Sequence, residues 1–84
     1  MKIIFSSQSW EDYLYWQRTD NHILKGINAL IHDICRSPYK GKGKPEALRH
    51  ALSGYWSRRI NEEHRLVYKV KKDSLFMAQL WYHY

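Results

Sequence analysis

Tyr55-Trp56-Ser57-Arg58-Arg59-Ile60-Asn61-Glu62-Glu63-His64-Arg65-Leu66-Val67-Tyr68-Lys69-Val70 decides the fold. Aromatic and β-branched residues cluster at both of its ends, as strands require. Residues 55–60 read as one strand and 65–70 as the next, joined by the polar turn Asn61-Glu62-Glu63-His64. Downstream, Lys71-Lys72-Asp73-Ser74 reads as a second turn and residues 75–82 as a third strand. Three strands at hairpin spacing predict an antiparallel meander. Alternation along the second strand puts Arg65, Val67 and Lys69 on one face and Leu66, Tyr68 and Val70 on the other. The second set suits a core. The first set can look outward onto an open face, a surface on which RNA bases stack against rings and guanidinium planes.

Upstream, the period changes. Lys2-Ile3-Ile4-Phe5 reads as a short first strand bounded by serines. Ser9 reads as the N-cap of a helix, with Asp12 three residues on in a weak capping box. Thr19-Asp20-Asn21 breaks that helix and caps the next. Ile23, Leu24, Ile27, Leu30, Ile31 and Ile34 then recur at three- and four-residue spacing, the apolar stripe of a second helix. Ser37-Pro38 stops it. Residues 39–46 read as a loop. The expected class is α+β, with two N-terminal helices packed on a twisted antiparallel sheet in one domain spanning residues 1–84.

A chain of 84 residues has one small core, so its side chains must be large; four Trp and seven Tyr supply them. The net charge of +6 suggests a polyanionic partner. Cys35 is the only cysteine, which excludes an internal disulfide and fits a reducing cytoplasm; within an apolar helical pattern it reads as a small buried hydrophobe. No stretch is long enough to span a membrane, and no signal-peptide core opens the chain. Metal-ligand spacing, a Walker loop and a helix-turn-helix pattern are all missing, so no metal or cofactor is expected.

The charged residues fit the cleavage of RNA without a metal. The 2′-OH is the internal nucleophile, so the protein must supply a base, an anion clamp and an acid. Glu46 is the candidate base, the one acid in the basic run Lys40-Gly41-Lys42-Gly43-Lys44-Pro45-Glu46. Arg65 is the candidate clamp, because the guanidinium fork matches phosphate oxygens. Arg58 and Arg59 are adjacent and point to opposite faces of their strand, so only one can join Arg65. Arg49 and Lys44 can add charge at the same rim. His83 is the candidate acid, since histidine titrates near neutrality. Tyr84 can position the phosphate or stack on a base. Taken singly, each has a plain alternative: a surface acid beside lysines, exposed strand arginines, a frayed tail. The other histidines, His22, His32, His50 and His64, read as structural or surface groups.

Four separated runs resemble one known family. They are Leu52 through Tyr68, Gly41 through Glu46, Ser9-Trp10-Glu11-Asp12-Tyr13, and the terminal Tyr82-His83-Tyr84. In order and spacing they look like the Txe/YoeB toxins of type II toxin–antitoxin systems, within the RelE-like superfamily, and the likeness covers the whole chain. It implies a RelE-like fold similar to microbial ribonucleases and an mRNA endonuclease acting in the A site of the 70S ribosome. It implies Glu46 as general base, Arg65 as transition-state stabiliser, His83 as general acid, Tyr84 in positioning and Arg59 at the scissile phosphate. It also implies a YefM-like antitoxin whose acidic, flexible C-terminal segment wraps the toxin; a homodimer is left open. Many relatives carry Lys where this chain has Arg49, and a basic residue where it has Trp81. The competing reading is a non-catalytic basic module that blocks ribosome or RNA by charge alone; that reading gives His83 no role.

Overall fold

The computed structural model describes residues 1–81. In chain order the elements are β1 (Lys2–Phe5), α1 (Ser7–Thr19), α2 (Asn21–Arg36), β2 (Glu46–Ala47), a single 3-10 turn (His50–Leu52), β3 (Trp56–Arg59), β4 (Arg65–Lys71) and β5 (Ser74–Gln79). The strands form one sheet in the order β1-β5-β4-β3-β2, and α1 and α2 cover one face of it. The α+β class and the three-strand meander are as expected, with one correction. The sheet is mixed, because β1 pairs parallel with β5 while every other neighbour is antiparallel. A hairpin forces its two strands to be antiparallel, but β1 and β5 are joined through the whole chain and escape that rule.

Local chemistry sets the helix ends. The N-cap of α1 is Ser6, three residues before the expected Ser9; its Oγ accepts the Ser9 N–H at 3.0 Å. The spacing Ser6-x-x-Ser9 offers two equivalent caps, and tertiary contacts choose between them. Ser9 Oγ instead donates to the Met77 carbonyl at 2.8 Å, tying α1 to β5. Asp12 is likewise no capping partner; its carboxylate accepts the Leu80 N–H at 2.9 Å. Asp20 does cap α2, accepting from the His22 and Ile23 N–H groups at 3.0 and 3.1 Å. The apolar stripe of α2 buries Ile27, Leu30 and Ile34 against Leu66, Tyr68, Leu75 and Met77 of the sheet. Ile23, Leu24 and Ile31 flank them, half-buried.

Two elements went unforeseen, β2 and the 3-10 turn. β2 is too short to carry a period, and it exists because the preceding loop is held in place. That loop folds around a buried ion pair. Arg58, on the helix-covered face, is wholly buried and donates through Nη1 to Asp33 Oδ2 at 2.6 Å. The same guanidinium donates to the carbonyls of Ser37 (2.6 Å), Lys40 (3.1 Å) and Lys42 (3.1 Å), and through Nε to the Tyr68 hydroxyl (3.2 Å). All its nitrogens thus have partners, which offsets the cost of burying the charge. The loop must pass close. A Cβ on Gly41 would collide with the Asp33 carboxylate, and one on Gly43 would lie 2.9 Å from the Arg59 carbonyl. Both glycines also have positive φ, +123° and +79°.

Candidate active site

The meander register sorts the arginines. Cross-strand partners share a face. Arg59 pairs with Arg65, Ser57 with Val67, and Glu46 with Ser57. Glu46, Ser57, Arg59, Arg65 and Val67 therefore all belong to the face turned away from the helices. Arg58, one residue along, points the other way into the core. Between the two adjacent arginines, the register puts Arg59 beside Arg65.

Each is delivered differently. Glu46 starts edge strand β2, directly after the loop gripped by Arg58, and is exposed. Its backbone lies two strands from Arg65, about 10 Å across the sheet and one two-residue step along it. A group the size of a phosphate fits between two such long side chains. Arg65 opens β4 and is held by its own turn: its Nη1 donates to the carbonyls of Asn61 (3.0 Å), Glu62 (3.3 Å) and His64 (3.2 Å). The turn is in turn fixed by Asn61 Oδ1, which accepts the Glu63 and His64 N–H groups at 2.9 and 2.7 Å. Only one edge of the guanidinium is used in this way, so the other can meet an anion. Among the described residues, neither Arg59 nor Arg65 has an acidic partner. Two cations directly opposite each other on a sheet repel, and an anion between them relieves that repulsion.

Arg49 is exposed beside β2 and, with Glu46 and His50, lines one shallow depression at that edge. Sequence reasoning passed over His50; its place in the depression comes from the 3-10 turn, which carries no sequence period. Lys44 is exposed in the loop, with φ of 51°. The outer face is closed at its centre, where Ser57 and Val67 are buried. Val67 is thus not the open position that strict alternation implies.

His83 and Tyr84 lie outside the described residues. The chain leading to them does not. Leu80 is wholly buried, its N–H donated to Asp12 and its carbonyl accepting the Trp16 indole N–H at 2.8 Å. Trp81 stacks on Trp16 with centroids 4.8 Å apart, meets Tyr15 edge-on at 4.5 Å, and lies 5.3 Å from the His64 ring. His64 is buried against Trp16 and Trp81, in keeping with its structural reading. Asp12 and Trp16 were not singled out in sequence as holding the C-terminal chain. Their partners are sixty-four and more residues away.

Electrostatically, the distinctive group is Asp33. The Lys42 N–H and then the Arg58 guanidinium hold its carboxyl down at about 2. Burial pushes the Tyr68 hydroxyl up. Both belong to the scaffold behind the outer face. Among the described residues, no three His, Cys, Asp or Glu side chains converge as a metal site would require, and no helix is long and apolar enough to cross a membrane.

Comparison with known proteins agrees with this fold. The family described as YoeB-like toxin of bacterial type II toxin-antitoxin system matches residues 5–84. Toxin YoeB of Escherichia coli K12 is 64% identical over 84 residues, all of both chains. A YoeB/ParE toxin from Agrobacterium tumefaciens superposes with a TM-score of 0.98 at 46% identity, covering 100% of both chains. Staphylococcus aureus YoeB, solved as a dimer, gives a TM-score of 0.94 at 48% identity over 100% of this chain and 98% of that one. In a heterotetrameric complex with YefM it gives 0.93 at the same identity and coverage. With its whole length matched and its fold superposed, the chain belongs to the YoeB-like toxins of bacterial type II toxin–antitoxin systems.

Proposed function

We propose that this toxin is a ribosome-dependent mRNA endonuclease that cuts translated mRNA in the A site. The observation that carries the reading is the outer sheet face, on which a carboxylate, Glu46, shares its side with the cross-strand pair Arg59 and Arg65. In this mechanism Glu46 takes the proton of the 2′-OH. The 2′-oxygen then attacks the adjacent phosphorus, and the bond to the 5′-oxygen breaks, leaving a 2′,3′-cyclic phosphate. Arg65 and Arg59 stabilise the charge that builds on the phosphorane oxygens. His83 gives its proton to the departing 5′-oxygen, and Tyr84 positions the phosphate. Arg49 and Lys44 hold neighbouring RNA. The ribosome supplies alignment of the 2′-OH with the phosphate, a contribution of many orders of magnitude in rate.

In the cell, the partner that restrains it is a YefM-like antitoxin with an acidic C-terminal segment, as the YoeB–YefM complexes of Staphylococcus aureus suggest by similarity. The dimer solved for the same relative supports self-association as well. Expression in growing cells tests the chemistry. Glu46→Ala and His83→Ala are expected to be tolerated where the parent arrests growth, although both variants still bind RNA. Equal arrest by parent and variants would leave only inhibition by charge.

A further inference from the structure

We infer that Tyr55, Lys69 and Phe76 form a base-stacking subsite for single-stranded RNA on the outer sheet face, beyond the row that carries Glu46. The inference rests on the RNA-cleaving reading and specifies the path of the strand away from the scissile phosphate.

The outer face is built in rows. Arg59 and Arg65 make the first, and Glu46, Ser57, Val67 and Gln79 the second. Lys69 pairs with Phe76, and Phe76 with Ile4, which makes the third. Lys71, Ser74 and Lys2 make the fourth. The third row opens into a cleft of about 310 Å³ lined by Ile4, Ser6, Tyr55, Lys69, Phe76 and Ala78, with no acid among its walls. The irregular pairing of β4 with β5 near Val67 and Tyr68 separates this row from the second. Within the cleft the Lys69 ammonium sits 5.0 Å from the Tyr55 ring centroid and 5.8 Å from that of Phe76. Among the described residues it has no carboxylate partner.

Flat rings beside an unpaired cation are what a nucleotide needs: a ring for the base and an ammonium for its phosphate. Ile4, 39% exposed, extends the apolar floor. Continuity favours RNA over an acidic peptide as the occupant. From Arg65 to Lys69 is four residues of one strand, about 13 Å. A strand held at the arginine row can therefore run along β4 into the cleft within a few nucleotides. Lys71, itself on the cleft wall, and then Lys2 continue the positive track.

The test uses the full chain and a fully 2′-O-methylated hexaribonucleotide, which cannot be cut, with 2-aminopurine at one position. Affinity is read by anisotropy and stacking by fluorescence quenching. Tyr55→Leu and Phe76→Leu are each expected to weaken binding about tenfold and to reduce quenching, with Tm near the parent's. Lys69→Gln, which removes no ring, carries the test if a ring variant fails to fold, and is expected to weaken binding and flatten its salt dependence. Parent-like affinity and quenching in these variants, with Arg65→Ala weakened, would overturn the subsite and leave the cleavage reading standing. No binding by the parent chain would overturn the subsite alone, because the cleavage reading has the ribosome present the mRNA. Loss of affinity for an acidic peptide, with RNA binding unchanged, would assign the cleft to a protein partner and also overturn the inference.

Discussion

Arg58 and Arg59 are adjacent and chemically identical, yet they do opposite things. Arg58 is wholly buried and binds Asp33, three loop carbonyls and a tyrosine hydroxyl. Arg59 is exposed opposite Arg65. Their roles should separate cleanly by measurement. Arg58→Met leaves buried acceptors without donors and is expected to cost about 3 kcal/mol in denaturant unfolding. Stability equal to the parent's would mean that the loop is held by other contacts. A second test is acid. A carboxyl depressed from 3.8 to about 2 on folding contributes stability in full above its unfolded value, and loses it as pH falls through the folded one. Asp33→Asn should therefore flatten the decline in stability between about pH 4 and pH 2. An unchanged decline would place the acid sensitivity elsewhere. In sequence, the opposition of the two arginines was legible from strand alternation alone. Which of them was buried was not, because Asp33 is twenty-five residues away on α2.

At the scale of elements, the helices and strands with a clear period were legible. The stripe of α2 names its own core residues, and Asp20 names its cap. The N-terminus of α1 was not, because Ser6 and Ser9 compete locally and a contact to Met77 settles the matter. β2 was invisible as well. It is two residues long and depends on the loop clamped by Arg58, so no local pattern could reveal it. Gly26 provides a test of the α2 reading. It lies inside the helix, and a Cβ built there meets nothing within 4 Å. Gly26→Ala is thus expected to raise stability by about 1 kcal/mol. A loss measured by thermal unfolding would reveal a contact on that side of the helix.

Over the whole molecule, the chain divides its two faces between two tasks. The helices cover one side of the sheet with an apolar core and a buried ion pair, and the other side carries Glu46, Arg59 and Arg65 with a run of lysines beyond them. The net charge of +6 suits that second side to an anionic strand. Periodicity made the division legible in sequence, but the parallel pairing of β1 was not, since nothing local specifies a partner at the far end of the chain. Primer extension on an mRNA in a purified translation system, comparing the parent chain with His83→Ala, bears straight on A-site cleavage. New cuts within translated codons are expected for the parent and none for the variant. Blocked translation with no cuts for either, or the same cuts for both, would contradict it.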